Sequence, residues 1–193
     1  MDWFFNFPDM SRSDLREFKK TVDFAFTDFS RSYGADIESF FDPLLMFLVW
    51  FEKFFINTPW PLIVLGILIL AWIGSRSIPV VIGTFLSFML IGYFGMWEDT
   101  MSTLAIILVA TFLCISIGIP MGIAMARSNK IQALIVPILD VMQTIPSFVY
   151  LIPVVMLLGI GKVPGLIAVC IYAIPPIVRL TNLGIRLVDK DVL

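Results

Sequence analysis

The chain has 193 residues, a formal net charge of −2 and no His; 59% of it is hydrophobic and only 15% charged. Its mean hydropathy is +0.96 and its pI near 5.0. Soluble domains carry about 25% charged residues, and a fold of this length could not hide so much apolar side chain behind its own polar surface. A soluble globular domain and a disordered chain are therefore excluded, the acidic balance argues against nucleic acid as a partner, and an integral membrane protein remains.

Residues 1–60 hold ten of the fifteen acids, six of the thirteen bases and thirteen of the eighteen Phe. The chain thus divides into an aromatic-rich, amphipathic, extracytoplasmic and interfacial tail, 1–58, and a transmembrane domain, 59–193. The start, Met1-Asp2-Trp3-Phe4-Phe5, lacks the basic region and small-residue cleavage site of a signal peptide. Ser11 and Asp14 have capping-box spacing. Leu15, Phe18, Val22, Phe26 and Phe29 then recur at helical spacing opposite Arg16, Lys19, Lys20 and Asp23. Asp42-Pro43 reads as an N-cap with a first-turn proline, opening a second helix over Leu44–Ile56 that contains Glu52 and Lys53. Thirteen residues are too few to span a bilayer, so both helices are expected at the interface, with their aromatics at headgroup depth.

Five spans follow. Trp60–Ser75 is the first and Ser77–Trp97 the second, separated by Arg76. Thr100–Ala126 is charge-free. Ile131–Gly161, interrupted only by Asp140, is expected as one long kinked span, and Val163–Val178 extends past Arg179. The expected fold is therefore an all-α polytopic membrane bundle. Arg76, then Arg127 and Lys130, then Arg179, Arg186 and Lys190 lie in alternate connections; the intervening ones carry Glu98 and Asp99, or Lys162 alone. The positive-inside rule places the first group in the cytoplasm. The N-terminus is then outside and the C-terminus cytoplasmic.

Enzymatic chemistry finds no support. Gly159-Ile-Gly161-Lys162 lacks the spacing of a phosphate loop and the Ser/Thr after its Lys. Without His there is no Ser/His/Asp set, and neither a catalytic nor a metal centre is expected. Cys114 and Cys170 lie in apolar runs and read as small hydrophobes. Asp140 is the one clear intramembrane ionisable candidate.

Seven of the twelve prolines fall between Pro120 and Pro176. Pro146, Pro153, Pro175 and Pro176 are expected as helix breaks. Gln143, Thr144, Ser147 and Tyr150 surround Pro146, so polar groups gather where backbone pairing is interrupted. Such a break fits a substrate pathway or close packing between segments, and the residues favour neither. Gly118, Gly122 and Ala126 form a small-residue stripe suited to helix contact. Arg179, Asn182 and Arg186 share one helical face, a cationic surface that serves as positive flanking or as a face for a cytoplasmic partner.

Longer strings add a resemblance. Ser116-Ile-Gly-Ile-Pro-Met-Gly-Ile-Ala-Met-Ala-Arg127-Ser128, then Pro137 through Pro153 (PILDVMQTIPSFVYLIP), Gly159 through Gly165 (GIGKVPG) and Ala173 through Arg186 (AIPPIVRLTNLGIR) resemble the permease subunits of ABC importers for glycine betaine, proline betaine and related osmoprotectants. The resemblance covers roughly Trp60–Leu193. It implies two permease copies in the bacterial inner membrane, a pair of cytoplasmic ATPases that consume ATP, and an extracytoplasmic substrate-binding protein, with no cofactor held by this chain. Among its residues, Tyr150, Tyr172 and Phe148 are conceivable pathway aromatics for a quaternary ammonium. In that family the ATPase-coupling loop begins Glu-Ala-Ala; here the sequence reaches Leu193 where that loop would begin. The expectation is an incomplete permease, a fragment or one completed by a second chain, unable by itself to couple ATP hydrolysis to uptake. The competing expectations are a non-transporting scaffold or assembly partner, and an ATP-independent channel or secondary transporter. No internal repeat supports the last.

Overall fold

The computed structural model describes residues 10–188. Seven helices are present among them: α1 (Arg12–Asn57), α2 (Trp60–Ser75), α3 (Ile78–Tyr93), α4 (Trp97–Arg127), α5 (Asn129–Thr144), α6 (Ser147–Leu158) and α7 (Lys162–Leu187). The five expected spans correspond in order to α2, α3, α4, the α5–α6 pair and α7. α4 and α7 are each long and apolar enough to cross a membrane singly, and the bent pairs α1–α2 and α5–α6 satisfy the same measure together.

The tail differs from expectation. Ser11 caps α1, its Oγ accepting the Asp14 backbone N–H at 3.2 Å, but the helix then runs unbroken for 46 residues with Pro43 inside it. An interior proline removes one backbone bond and costs about 3 kcal/mol. Tertiary packing offsets that cost, because Leu44, Leu48 and Phe51, just beyond Pro43, lie against Val109, Ala110 and Leu166 of α4 and α7. The helix ends at Asn57, where Thr58-Pro59 forces extended backbone, and α2 leaves at 100° to it.

α2 and α3 form a hairpin that meets the remainder chiefly at α4. Arg76, at φ 49°, occupies the left-handed position that closes α2. α3 buries no residue, and Leu70, Phe112 and Leu134 are 70%, 68% and 71% exposed. Large apolar side chains turned outward in this number are what lipid contact requires and water would not tolerate.

α4 and α7 run against each other as the spine of the bundle. The small-residue stripe makes this possible: a Cβ on Gly118 would sit 2.8 Å from Ile177 Cγ2, and one on Gly122 would sit 2.5 Å from Thr181 Cβ and 2.8 Å from the Val178 carbonyl oxygen. A second cluster, Met125, Leu139 and Val178, joins α5 to this spine. Both cysteines are free, and Cys114 is buried at the same α4–α7 contact, its Sγ 3.9 Å from the Cys170 carbonyl oxygen.

Of the four prolines expected to break helices, Pro146 interrupts the chain. Ile145 before it is extended at ψ 127°, and α5 and α6 meet at 89°. Pro153 lies inside α6, and Pro175 and Pro176 inside α7, without interrupting either helix. In an apolar medium every other backbone group still needs its helical partner. Pro175 is moreover buried and serves packing. The single kinked span expected over Ile131–Gly161 is accordingly two helices at a right angle.

Candidate functional site

The break at Pro146 brings together four of the five residues expected along a pathway. Gln143 and Thr144 close α5, Ser147 opens α6 and Tyr150 follows one turn later. The chain turns through about a right angle with few bonds: the Ile145 N–H donates to the Val141 carbonyl at 3.1 Å and the Val149 N–H to the Pro146 carbonyl at 2.9 Å. Gln143, Thr144 and Ser147 are exposed. The Tyr150 hydroxyl is buried and has no hydrogen-bond partner among the described residues; an unpaired buried polar group costs about 1–3 kcal/mol. Tyr172, on α7, is 66% exposed, and no hydrogen bond or ring contact among the described residues joins it to this set.

The cationic face of α7 is engaged within the chain. Arg179 pairs with Asp140 of α5, both partly exposed. Asp140 therefore has a counter-ion 39 residues away. Asn182 is buried, and its Oδ1 accepts the Arg186 Nε–H at 2.9 Å. Arg186 also donates to the Met125 carbonyl at 2.9 Å and to Asn129 Oδ1 at 2.8 Å. Met125 lies in the last turn of α4, whose carbonyls lack helical partners and carry negative partial charge. The guanidinium thus fastens the α4–α5 turn to α7. Arg186→Ala should lower stability by about 1–3 kcal/mol. Arg186→Lys should recover little, since an ammonium lacks the planar fork. Unfolding in mixed detergent–SDS micelles measures both.

A third polar group was not foreseen. Glu52 of α1 is 8% exposed; its two carboxylate oxygens accept from Ser102 Oγ of α4 and Lys162 Nζ at the start of α7. One carboxylate therefore joins three helices. A signal was present in the sequence: Lys162 is the lone base of its connection, and the positive-inside argument puts it on the same side as Glu52. A separation of 110 residues hid the pairing.

Outward-turned apolar helices around a glycine-packed spine, with two helices meeting at a right angle at a polar break, are the features of a multi-pass membrane protein. Residues 118–193 match the family described as binding-protein-dependent transport system inner membrane component. The chain is 43% identical over 151 residues to the glycine betaine/proline betaine transport system permease protein ProW of Escherichia coli (strain K12), covering 78% of this chain and 42% of that protein. It is 42% identical over 135 residues to the glycine betaine/carnitine transport permease protein GbuB of Listeria monocytogenes, covering 69% of this chain and 48% of that one. To the glycine betaine transport system permease protein OpuAB of Bacillus subtilis (strain 168) it is 41% identical over 122 residues, 63% of this chain and 43% of the other. Over residues 118–193 the chain is similar to this family of inner-membrane transport permeases. It spans less than half the length of each of these three relatives.

Proposed function

We propose that the chain forms part of the translocation path of an ATP-driven importer for glycine betaine, proline betaine or a related osmoprotectant. The observation that carries this reading is the right-angled α5–α6 break, which lies inside the matched family region. Interrupted backbone at membrane depth is tolerated where it is buried in protein or lines a water-filled path. Here it is surrounded by Gln143, Thr144, Ser147 and the buried hydroxyl of Tyr150. A quaternary ammonium donates no hydrogen bond and favours aromatic faces, a role open to Tyr150, Tyr172 and Phe148.

Charge placement supports the orientation. With Arg76, Arg127, Lys130, Arg179 and Arg186 cytoplasmic, the N-terminal region 1–58 lies outside and at the interface, and 59–193 forms the membrane domain with a cytoplasmic C-terminus. The partners of this reading are cytoplasmic ATPase subunits that consume ATP, an extracytoplasmic substrate-binding protein and a second permease copy. The chain itself binds no nucleotide and is not an enzyme. Arg179, Asn182 and Arg186 would contribute to the ATPase-facing side by shaping the α4–α5 turn.

Proteoliposomes containing the full permease with its ATPase and binding protein test this. ATP-dependent uptake of glycine betaine is expected, and Gln143→Leu should reduce it by about tenfold, on the scale of one misplaced polar contact in a site. Uptake that ignores ATP would establish a channel or secondary transporter instead. Absence of uptake in the complete assembly would leave a scaffold.

A further inference from the structure

α1 is held unevenly along its length. Beyond Pro43 it is fastened: Leu48 packs in the cluster with Val109, Ala110 and Leu166, and Glu52 accepts from Ser102 and Lys162. Before Pro43 the same helix lies loosely on its neighbours. Between residues 12 and 42 the one buried residue is Gly34, where a Cβ would stand 3.9 Å from the Leu157 carbonyl oxygen of α6. Two cavities separate this part of α1 from the α6–α7 hairpin. One of ≈ 240 Å³ is lined by Phe26, Ile37 and Phe41 on one side and by Pro153, Val154 and Leu157 on the other. The second, of ≈ 210 Å³, lies between Phe41 with its neighbours and the α6–α7 connection. Voids forfeit the dispersion contacts that close packing supplies, so the facing surfaces hold each other weakly. Pro43 stands where the fastened part gives way to the loose one. It has no N–H, which leaves the Ser39 carbonyl without its helical donor, and proline is a common site of helix bending. α6 shows the same looseness: it buries no residue and packs against α7 and α1. Pro146 precedes it and Gly159, at φ 74°, follows it.

We propose that α1 is a jointed strap, with residues 44–57 as its fixed anchor, Pro43 as its joint and residues 12–42 as an arm that closes over α6 and lifts from it. With the arm closed, α6 is held between α1 and α7. With the arm lifted, α6 keeps only α7 and is free to turn about the breaks at Pro146 and Gly159. Lifting uncovers Phe26, Ile37 and Phe41, apolar side chains that a membrane interface accepts, so the motion loses little. Segments with few buried contacts open at a small fraction of the global stability, whereas the anchor is bound by a core cluster and a charge pair. The strap is a property of α1 and α6 and is measurable without any ATPase. Its failure would leave the transport reading intact, and loss of the transport reading would leave the strap.

Double electron–electron resonance on the full chain in phosphatidylglycerol nanodiscs tests this. Spin labels go on p-acetylphenylalanine, so both native cysteines stay in place. One pair, at Asp28 and Met156, reports the arm against α6; the other, at Trp50 and Ile107, reports the anchor against α4. All four positions are exposed. The arm pair should show two distances, the longer one in at least ~5% of molecules, and the anchor pair a single distance. Pro43→Ala restores the backbone donor and stiffens the joint, and should cut the longer arm population at least ~3-fold. Phe41 lines both cavities, and Phe41→Ala should raise that population by about 3- to 10-fold. The anchor distance should stay unchanged in both variants. A single arm distance in the parent and in Phe41→Ala, a longer population that Pro43→Ala leaves equal or increases, or an anchor distance that shifts together with the arm would overturn the proposal.

Discussion

Gly122→Ala is expected to destabilise the protein by about 3 kcal/mol, the upper part of the range for overpacking a well-filled contact. The added methyl carbon would stand 2.5 Å from Thr181 Cβ and 2.8 Å from the Val178 backbone oxygen. A side-chain terminus can swing aside, but a backbone carbonyl in the middle of α7 cannot move without moving the helix. Gly118 should tolerate alanine better, because its nearest obstacle is the Ile177 side chain. Gly66 and Gly83 are controls: a Cβ at either meets nothing within 4 Å, and alanine there should stay within about 1 kcal/mol of the parent or gain from better helix propensity. Unfolding of the four variants in mixed detergent–SDS micelles ranks them. Gly122→Ala melting with the Gly83 control would show that α4 and α7 are not in this contact.

The second large effect concerns the carboxylate shared by three helices. Lys162→Met should cost about 2–3 kcal/mol, below the roughly 3–5 kcal/mol of fully buried pairs because the Lys162 side chain is 36% exposed. Most of the loss arises from leaving the Glu52 charge buried with only Ser102 to satisfy it. Removing that charge as well, in Glu52→Gln with Lys162→Met, should therefore restore more than half of the stability. A double-mutant cycle isolates the interaction, expected at about 1–2 kcal/mol. Additive losses would mean that the two groups do not meet. The same cycle tests whether α1 is held to the bundle through this contact or through the Leu48 cluster, since only the former depends on charge.

What was legible in the sequence was whatever local pattern and solvent alone decide. A 59% hydrophobic chain with alternating basic connections has few options besides a helical membrane bundle, because the bilayer leaves unpaired backbone no other partner. The boundary at Thr58-Pro59, the cap at Ser11 and the break at Pro146 were readable, since each is set by the residue and its neighbours. The small-residue stripe on α4 was readable for the same reason. The motif strings around Pro146 and Pro175 carried the family resemblance, although spacing alone left open whether the break served passage or packing.

Tertiary structure decided the rest. Pro43 reads locally as a helix start, yet α1 continues through it because Leu44, Leu48 and Phe51 are held by α4 and α7. Pro153, Pro175 and Pro176 read as breaks, yet their helices persist because neighbouring helices and an apolar surround penalise any further loss of pairing. Arg179, Asn182 and Arg186 read as positive flanking or as a face for a partner; the packed helices add that Asp140, the α4 carboxyl end and Asn129 engage the two arginines. The Glu52–Lys162 pair joins residues 110 positions apart. Sequence by itself pointed to the medium, the class and the family resemblance, because hydropathy, caps and motifs act over a few residues. Which charges are spent inside the chain depends on contacts between distant segments that only the packed helices bring within reach.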